Sequence, residues 1–549
     1  MAPALNLPDW STRAFLLACV VGFPLWVVFG WFYELTPEGF KRDSEIPADA
    51  PVRQSSARKL DVAIIGVLVV VVALLASGYF IRATSPVARA APFNPPADSI
   101  VVLPFANLGG DPQQRYFSNG ITEELTDALG QNTSLTVIAW NTASKYALST
   151  QSPRQIGRAL NVAHVLAGSI QHADNVIRVT SELIDTRNGR QLWSDHYDDS
   201  LQNIFAVQDK ISAAIAGALK VRLAAMHAAP TMNPQAHELY LKGLAAVEGV
   251  TASDAQAAQK YFQRALELDP HYADAWAGLA GSYLALAQWS TLPMADATAK
   301  MRAAASKALE LDPRNVNALV QLANADNADN HTLKAAAEYK RAVALDPNNA
   351  RAHLDYGTVL PLAQDLVQTR EAARLDPDSA TAQNNLATIY QDLSDWPGMV
   401  RAAQALNKLS PHGTDAAFYL AFAYAQMRRG ADAAKAFDLV HPTDPRDQQL
   451  VHAGRLTYRA LIDSALRPQA LAALAAFRHT DASPYAQGDV LQLYLALGET
   501  RTALQMLPAI CAAGPVACND LATNPMYAPL RADPRFGALA KKYTTMTLD

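Results

Sequence analysis

The hydrophobic pattern changes character three times along the chain. Ala14–Tyr33 (AFLLACVVGFPLWVVFGWFY) and Val62–Ile81 (VAIIGVLVVVVALLASGYFI) are each twenty residues without a charge. A helix of that length spans about 30 Å, the thickness of a bilayer's hydrocarbon core. The pattern therefore predicts transmembrane helices over 14–33 and within 61–81. Trp10 before the first stretch and Trp31, Phe32 and Tyr33 at its end supply an aromatic belt, and Pro24 is a candidate kink. The first stretch is too long for a secretory leader and lacks a basic segment before it.

Residues 82–98 (RATSPVARAAPFNPPAD) hold four prolines and no apolar period, which reads as an extended linker. Short apolar or alternating runs follow. They predict strands at Ser99–Phe105, Leu135–Trp140, Ala163–Gln171, Asn175–Asp185 and Gly189–Tyr197. Helical spacing predicts Tyr116–Asn132, Ser152–Leu160 with Ser152 as N-cap and Pro153 in the first turn, and a closing helix from Ile204 to about Ala225. The order βαβαβββα implies a mixed sheet with helices packed on it, an α/β (α+β) module over 99–228.

The blocks SIVVLPFANLGGDPQQRYFSNGITEELTDALG, LTVIAWNTASKYA, RQIGRALNVAHVLAGSIQ, VIRVTSELIDTRNGRQLWSDHYD and LQNIFAVQDKI resemble the TolB-like (FlgO-related) domain of bacterial membrane proteins that carry C-terminal tetratricopeptide repeats. The motif positions are Leu103, Pro104, Phe105, Gly120, Gly168, Trp193 and Tyr197, with structural roles. The resemblance implies a periplasmic module without established catalysis. The upstream GFPLWVVFGWFYELTPEGFKR is similar to the segment preceding this domain in many relatives, which commonly have a further membrane helix not found in this sequence. Other architectures of the group place a nucleotide cyclase or a winged helix in the cytoplasm; the 27 residues of Glu34–Leu60 are too few for either.

The third regime repeats. ALELDP ends at Pro270 and again at Pro313, AVALDP at Pro347, AARLDP at Pro377 and ALNKLSP at Pro411, giving spacings of 43, 34, 30 and 34. Thirty-four is the tetratricopeptide period. The long unit carries an insertion around Gln288–Met294, and the short one a shortened turn at Leu360-Pro361. Trp276, Leu279, Ala280 and Tyr283 occupy the large, Leu, small and Tyr positions of the repeat, with Tyr390 and Tyr424 equivalent to Tyr283. The array is expected over 232–445, degenerate helical repeats and a cap over 446–549, and seven to nine helical pairs in a right-handed superhelix. The whole is multidomain: a two-helix transmembrane anchor, an α/β module and an all-α repeat superhelix.

Composition narrows this picture. Of 549 residues 50% are hydrophobic and 18% charged, which excludes a disordered chain. The net charge of -5 offers no basic stripe for nucleic acid. Lys41, Arg42, Arg53, Arg58 and Lys59 lie between the two apolar stretches, against Arg13 before them and Arg82 and Arg89 after. That bias puts 34–60 in the cytoplasm and the bulk of the chain in the periplasm of a two-pass inner-membrane protein.

Candidate chemistry is sparse. No phosphate-binding, dinucleotide or zinc-protease motif occurs, and Ser56–Lys59 matches SxxK only by chance in a juxtamembrane loop. The Asn107–Gly110 loop is read as a tight turn rather than an anion site. Asp195–Asp199 (DHYDD) splits across two strand faces, so no metal is expected. Glu123 and Glu124 stand about 100° apart on a helix and cannot face each other as an acid/base pair. Trp193 and Tyr197 are read as facing the core. Cys511 and Cys518 are either a disulfide or two buried thiols, and Cys19 lies in the first apolar stretch. The expected function is a scaffold without cofactor or metal, binding protein partners through the repeat groove; the alternative is a regulatory component of transmembrane signalling.

Overall fold

A computed structural model describes residues 33–36, 39–42 and 93–545, apart from 110–113, 174–175, 201–202, 220–232, 248, 250, 290, 481–483, 514–517 and 519–520. Two compact units result, Met1–Pro92 and Phe93–Asp549. In the first, β1 (Tyr33–Thr36) pairs antiparallel with β2 (Gly39–Arg42), Tyr33 opposite Arg42 and Thr36 opposite Gly39. Tyr33 therefore belongs to a strand and not to the end of a membrane helix, and the expected loop begins as a hairpin. The rest of both expected membrane helices, with residues 43–92, lies outside the described residues. Among the described residues no helix is long and apolar enough to cross a membrane.

The second unit begins at Phe93, six residues ahead of the first strand, because the Arg158 guanidinium stacks over its ring and Pro95 is buried. Its sheet comprises β3 (Ser99–Val102), β4 (Ala106–Asn107), β5 (Thr136–Val137), β6 (His164–Ala173), β7 (Val176–Asp185) and β8 (Gln191–Ser200). The order is β5-β3-β6-β7-β8, with β4 also on β6. β3 is parallel to β5 and β6 and buried along its whole length, as an uninterrupted apolar run requires. β6, β7 and β8 are antiparallel, and β7 alternates exposed and buried residues over most of its length. Gly189, at φ +78°, makes the β7–β8 turn.

Helix α1 (Arg115–Gly130) covers one sheet face, α2 (Trp140–Ser144) and α3 (Pro153–Leu160) the other, and α4 (Ile204–Leu219) joins α1. α3 starts as expected: the Ser152 N–H donates to Gln155 Oε1 at 2.8 Å, one arm of a capping box. The expected strand Leu135–Trp140 is cut to two paired residues. Ala139 N–H instead donates to Leu375 O, 2.8 Å away in the repeats, and Trp140 opens α2.

Helical pairs then follow: α5 (Pro234–Val247) with α6 (Ala252–Leu268), α7 (Ala273–Gln288) with α8 (Met294–Leu311), α9 (Val316–Ala328) with α10 (Thr332–Leu345), and α11 (Ala350–Gly357) with α12 (Leu362–Leu375). They continue as α13 (Ala380–Asp392) with α14 (Trp396–Leu409), α15 (Asp415–Gln426) with α16 (Gly430–Ala436), α17 (Pro445–Ala460) with α18 (Arg467–Thr480), and α19 (Pro484–Ala496) with α20 (Thr500–Ala513). A 3-10 turn, Pro525–Leu530, and α21 (Pro534–Thr545) close the chain. Eight pairs among the described residues fall inside the expected range. The short fourth unit loses its residues from α11, which has eight, rather than from the turn at Leu360-Pro361.

First helices of neighbouring pairs touch one another along much of the array, whereas second helices do not come as close. In a curved stack the inner layer is the crowded one, so the first helices line the inside of the curve. One apolar core runs without a break from Ile100, Val102 and Leu166 of the sheet, through Phe117, Leu125 and Ile211, into Leu241, Phe262, Leu279 and Ala325 of the repeats. Sheet and array share a core although the sequence separates them.

Candidate interaction surface

Each repeat boundary is built by an Asp-Pro step. The backbone N–H groups of Asp269, Asp312, Asp346 and Asp376 close the last turns of α6, α8, α10 and α12, and Pro270, Pro313, Pro347 and Pro377, lacking an N–H, end them. Leu279 and Ala280 are buried where α7 meets its neighbours, and Trp276 Nε1 donates to Pro270 O at 3.0 Å. Three signature tyrosines each carry a cation over the ring: Lys300 over Tyr283, Arg370 over Tyr390 and Arg429 over Tyr424.

The positions singled out in the α/β module lie in and around its sheet core. Phe105 is buried and lies against Gly168, where an added Cβ would sit 2.7 Å from its ring and 2.4 Å from Thr180 O. Leu103, half-buried, donates its N–H to Leu166 O at 2.9 Å, and half-buried Pro104 follows. Trp193 and Tyr197 pack from β8 onto the sheet core. Gly120 has a further use: a Cβ there would meet Leu241 Cδ2 at 2.6 Å, so its missing side chain lets α5 lie on α1.

Polar contacts extend this junction along the turns of the repeats. Glu124 accepts from Gln208 Nε2 of α4 at 2.8 Å and lies 2.9 Å from His237 Nε2 of α5. Tyr116 Oη donates to Glu238 at 3.0 Å. Asn348, between α10 and α11, donates to Gly130 O at 2.7 Å and Leu135 O at 3.0 Å and accepts from Val137 N at 2.9 Å. Asp376 accepts from Asn141 and, at 2.6 Å, from Thr142 Oγ1. Asp274 accepts from Asn315 at 2.6 Å, and burial pushes it, like Asp346, up to about 6. The partners of Glu124 stand 84 and 113 residues away, and no local pattern announces them.

On the inner face, Thr388 of α13 and Tyr419 of α15 share a hydrogen bond of 2.9 Å. Asp415, Asp447 and Asp489, from the first helices of three successive pairs, act on one another. Burial, then the charges of Asp415 and Asp447, pushes Asp489 up to about 7. Asp415 is exposed and Asp447 and Asp489 half-buried, an acidic strip on consecutive helices.

The weaker candidates disperse. Asn107 Oδ1 accepts the Gly109 N–H at 2.9 Å, a local turn, and 110–113 lie outside the described residues. Asp198 pairs with Arg178 across β7 and β8, Asp199 is held by Asn203, and His196 stands exposed on that sheet edge. Among the described residues no three His, Cys, Asp or Glu side chains group to hold a metal. Ser56–Lys59 lies outside the described residues. Cys511 and Cys518 are joined as a disulfide, their sulfurs buried in the last repeat core.

A tetratricopeptide-repeat family model matches residues 250–290, spanning α6 and α7. The C-terminal region is a tetratricopeptide-repeat array. A curated relative, the putative adenylate cyclase 3 of Rhizobium meliloti (strain 1021), is 38% identical over 190 residues, covering 34% of this chain and 32% of that protein. The chain thus spans about a third of the length of the curated relative it matches. Among solved structures, a tetratricopeptide-repeat protein of Parabacteroides merdae is 14% identical, covers 57% of this chain and all of its own, and has a TM-score of 0.31. The pilF protein of Pseudomonas aeruginosa is 17% identical over 37% of this chain and 89% of its own, also at 0.31. Scores of that size do not relate the whole arrangements.

Proposed function

We propose that the chain is a non-catalytic scaffold, anchored in the bacterial inner membrane by two helices, whose periplasmic repeats bind a protein partner. The observation that carries this reading is the inner strip from Thr388 and Tyr419 to Asp415, Asp447 and Asp489, presented by consecutive first helices. Stacked helices offer a partner segment an extended row of side chains, the arrangement that suits a bound peptide or helix. A photo-reactive side chain at exposed Thr388 should give a discrete protein adduct in cells, and one at exposed Arg401 of α14 should not. Equal labelling from both positions would remove the reading. For the anchor, a periplasm-active reporter fused after Asp549 should be active and a cytoplasm-active one silent.

A second reading is favoured by one observation, the 38% identity over 190 residues with a protein named as a putative adenylate cyclase. In it the chain is a regulatory component of a signalling system, relaying partner binding through the anchor to a cytoplasmic protein at residues 34–60. A pull-down with that segment that retains no cytoplasmic protein would count against it.

A further inference from the structure

The C-terminal tail does more than cover the last pair. The 3-10 turn Pro525–Leu530 packs on α19 and α20 of the eighth pair. Just before it, Asn524 Oδ1 accepts a buried hydrogen bond of 3.1 Å from Gln391 Nε2, at the end of α13 in the fifth pair. Both residues are nearly closed to solvent, Gln391 at 8% and Asn524 at 5% exposure. Met526 packs against the cluster of Leu386, Tyr390 and Phe422. A segment that touches pairs five and eight at once bridges the two ends of that stretch of the array. The Cys511–Cys518 disulfide and the fully buried Leu521 fix where this segment leaves α20.

We propose that Gln391 with the Leu386–Tyr390–Phe422 cluster, beside the acidic strip, is a peptide-binding site filled in cis by Asn524 and Met526, and that its partner is an uncharged segment of the same chemistry. The partner presents a side-chain amide for Gln391 and, two residues on, a flexible apolar side chain for the Leu386–Tyr390–Phe422 cluster, as Asn524 and Met526 do. It competes with the tail for the site. Loss of the tail's own contacts therefore frees the site for an outside ligand. This rests on the scaffold reading above.

The probe is a fluorescent, acetylated peptide of residues 521–530, titrated into the detergent-solubilised full chain by anisotropy. The N524A/M526A chain should bind it at least ten-fold more tightly than the unchanged chain, and adding Q391A should abolish the gain. Equal affinities, or no binding by either chain, with the variant folded by circular dichroism, would overturn the proposal. Should N524A/M526A fail to fold, hydrogen exchange on the unchanged chain decides: saturating peptide should speed exchange of the 524–530 amides, and unaltered exchange overturns it. Adducts from Thr388 that persist after such a failure leave the scaffold reading standing; their absence removes both.

Discussion

Glu124 Oε1 lies 2.9 Å from His237 Nε2, joining the helix that covers the sheet to the helix that opens the repeats. His237 is buried and Glu124 nearly so, and the other Glu124 oxygen is held by Gln208. Removing Glu124 takes a hydrogen bond from the buried Gln208 side chain and an ion-pair partner from the buried His237 at once. E124A is expected to destabilise the second unit by about 2–4 kcal/mol, read as a fall in the urea midpoint. A midpoint unchanged from the parent would show that the pair carries no coupling.

Two glycines separate a side-chain clash from a backbone clash. G120A sets a Cβ 2.6 Å from Leu241 Cδ2 and should cost about 1–3 kcal/mol in the parent but less when added to L241A, which removes the clashing atoms at its own cavity cost. In G168A the Cβ meets Thr180 O at 2.4 Å, so G168A should cost as much when added to F105L as in the parent. Thermal melts of the single and double variants test this, and a smaller cost of G168A in the F105L background would contradict it.

Burial pushes Asp274 and Asp346 up to about 6 and Asp489 up to about 7. These folded-state values lie above the unfolded value of about 3.9. A carboxylate raised in this way contributes stability that is present below about pH 4 and lost as pH rises through 6 to 7. The urea midpoint should therefore fall between pH 4.5 and 7.5, and D274N/D346N should flatten that slope. Asp185 and Asp533, held down by Arg187 and Arg535, act in the opposite sense and only at pH below their unfolded values. A midpoint that climbs over the same interval would show that these three carboxylates do not govern it.

The Cys511–Cys518 bond closes a short loop, for which chain entropy gives about 2 to 3 kcal/mol. C511S/C518S should lower stability by that order and raise hydrogen exchange across 518–530. Non-reducing mass spectrometry of the purified chain should find no free thiol at either position; two alkylated cysteines would contradict the bond.

Much of this architecture is legible in residues close together in the chain. The repeat shows itself because Pro270, Pro313, Pro347 and Pro377 end helices by a local mechanism, the missing N–H, and because small and large residues recur at helical spacing. β7 shows itself by alternation, and α3 by its Ser152 cap. Short elements are harder: Trp140 starts a helix only because Leu375, far along the chain, takes the Ala139 N–H.

Side chains within a few turns of one another were enough for the two charge-free stretches, the longer strands and helices and the tetratricopeptide period. Folding in three dimensions was needed for sheet and repeats to share one core, for Glu124 to meet His237, for Asn348 and Asp376 to bind the α/β module, and for Asn524 to reach Gln391. Those partners lie between 113 and 235 residues apart. An Asn or Glu at such a position looks like any other surface residue until folding removes water from it, and only then does its hydrogen-bonding need select a partner.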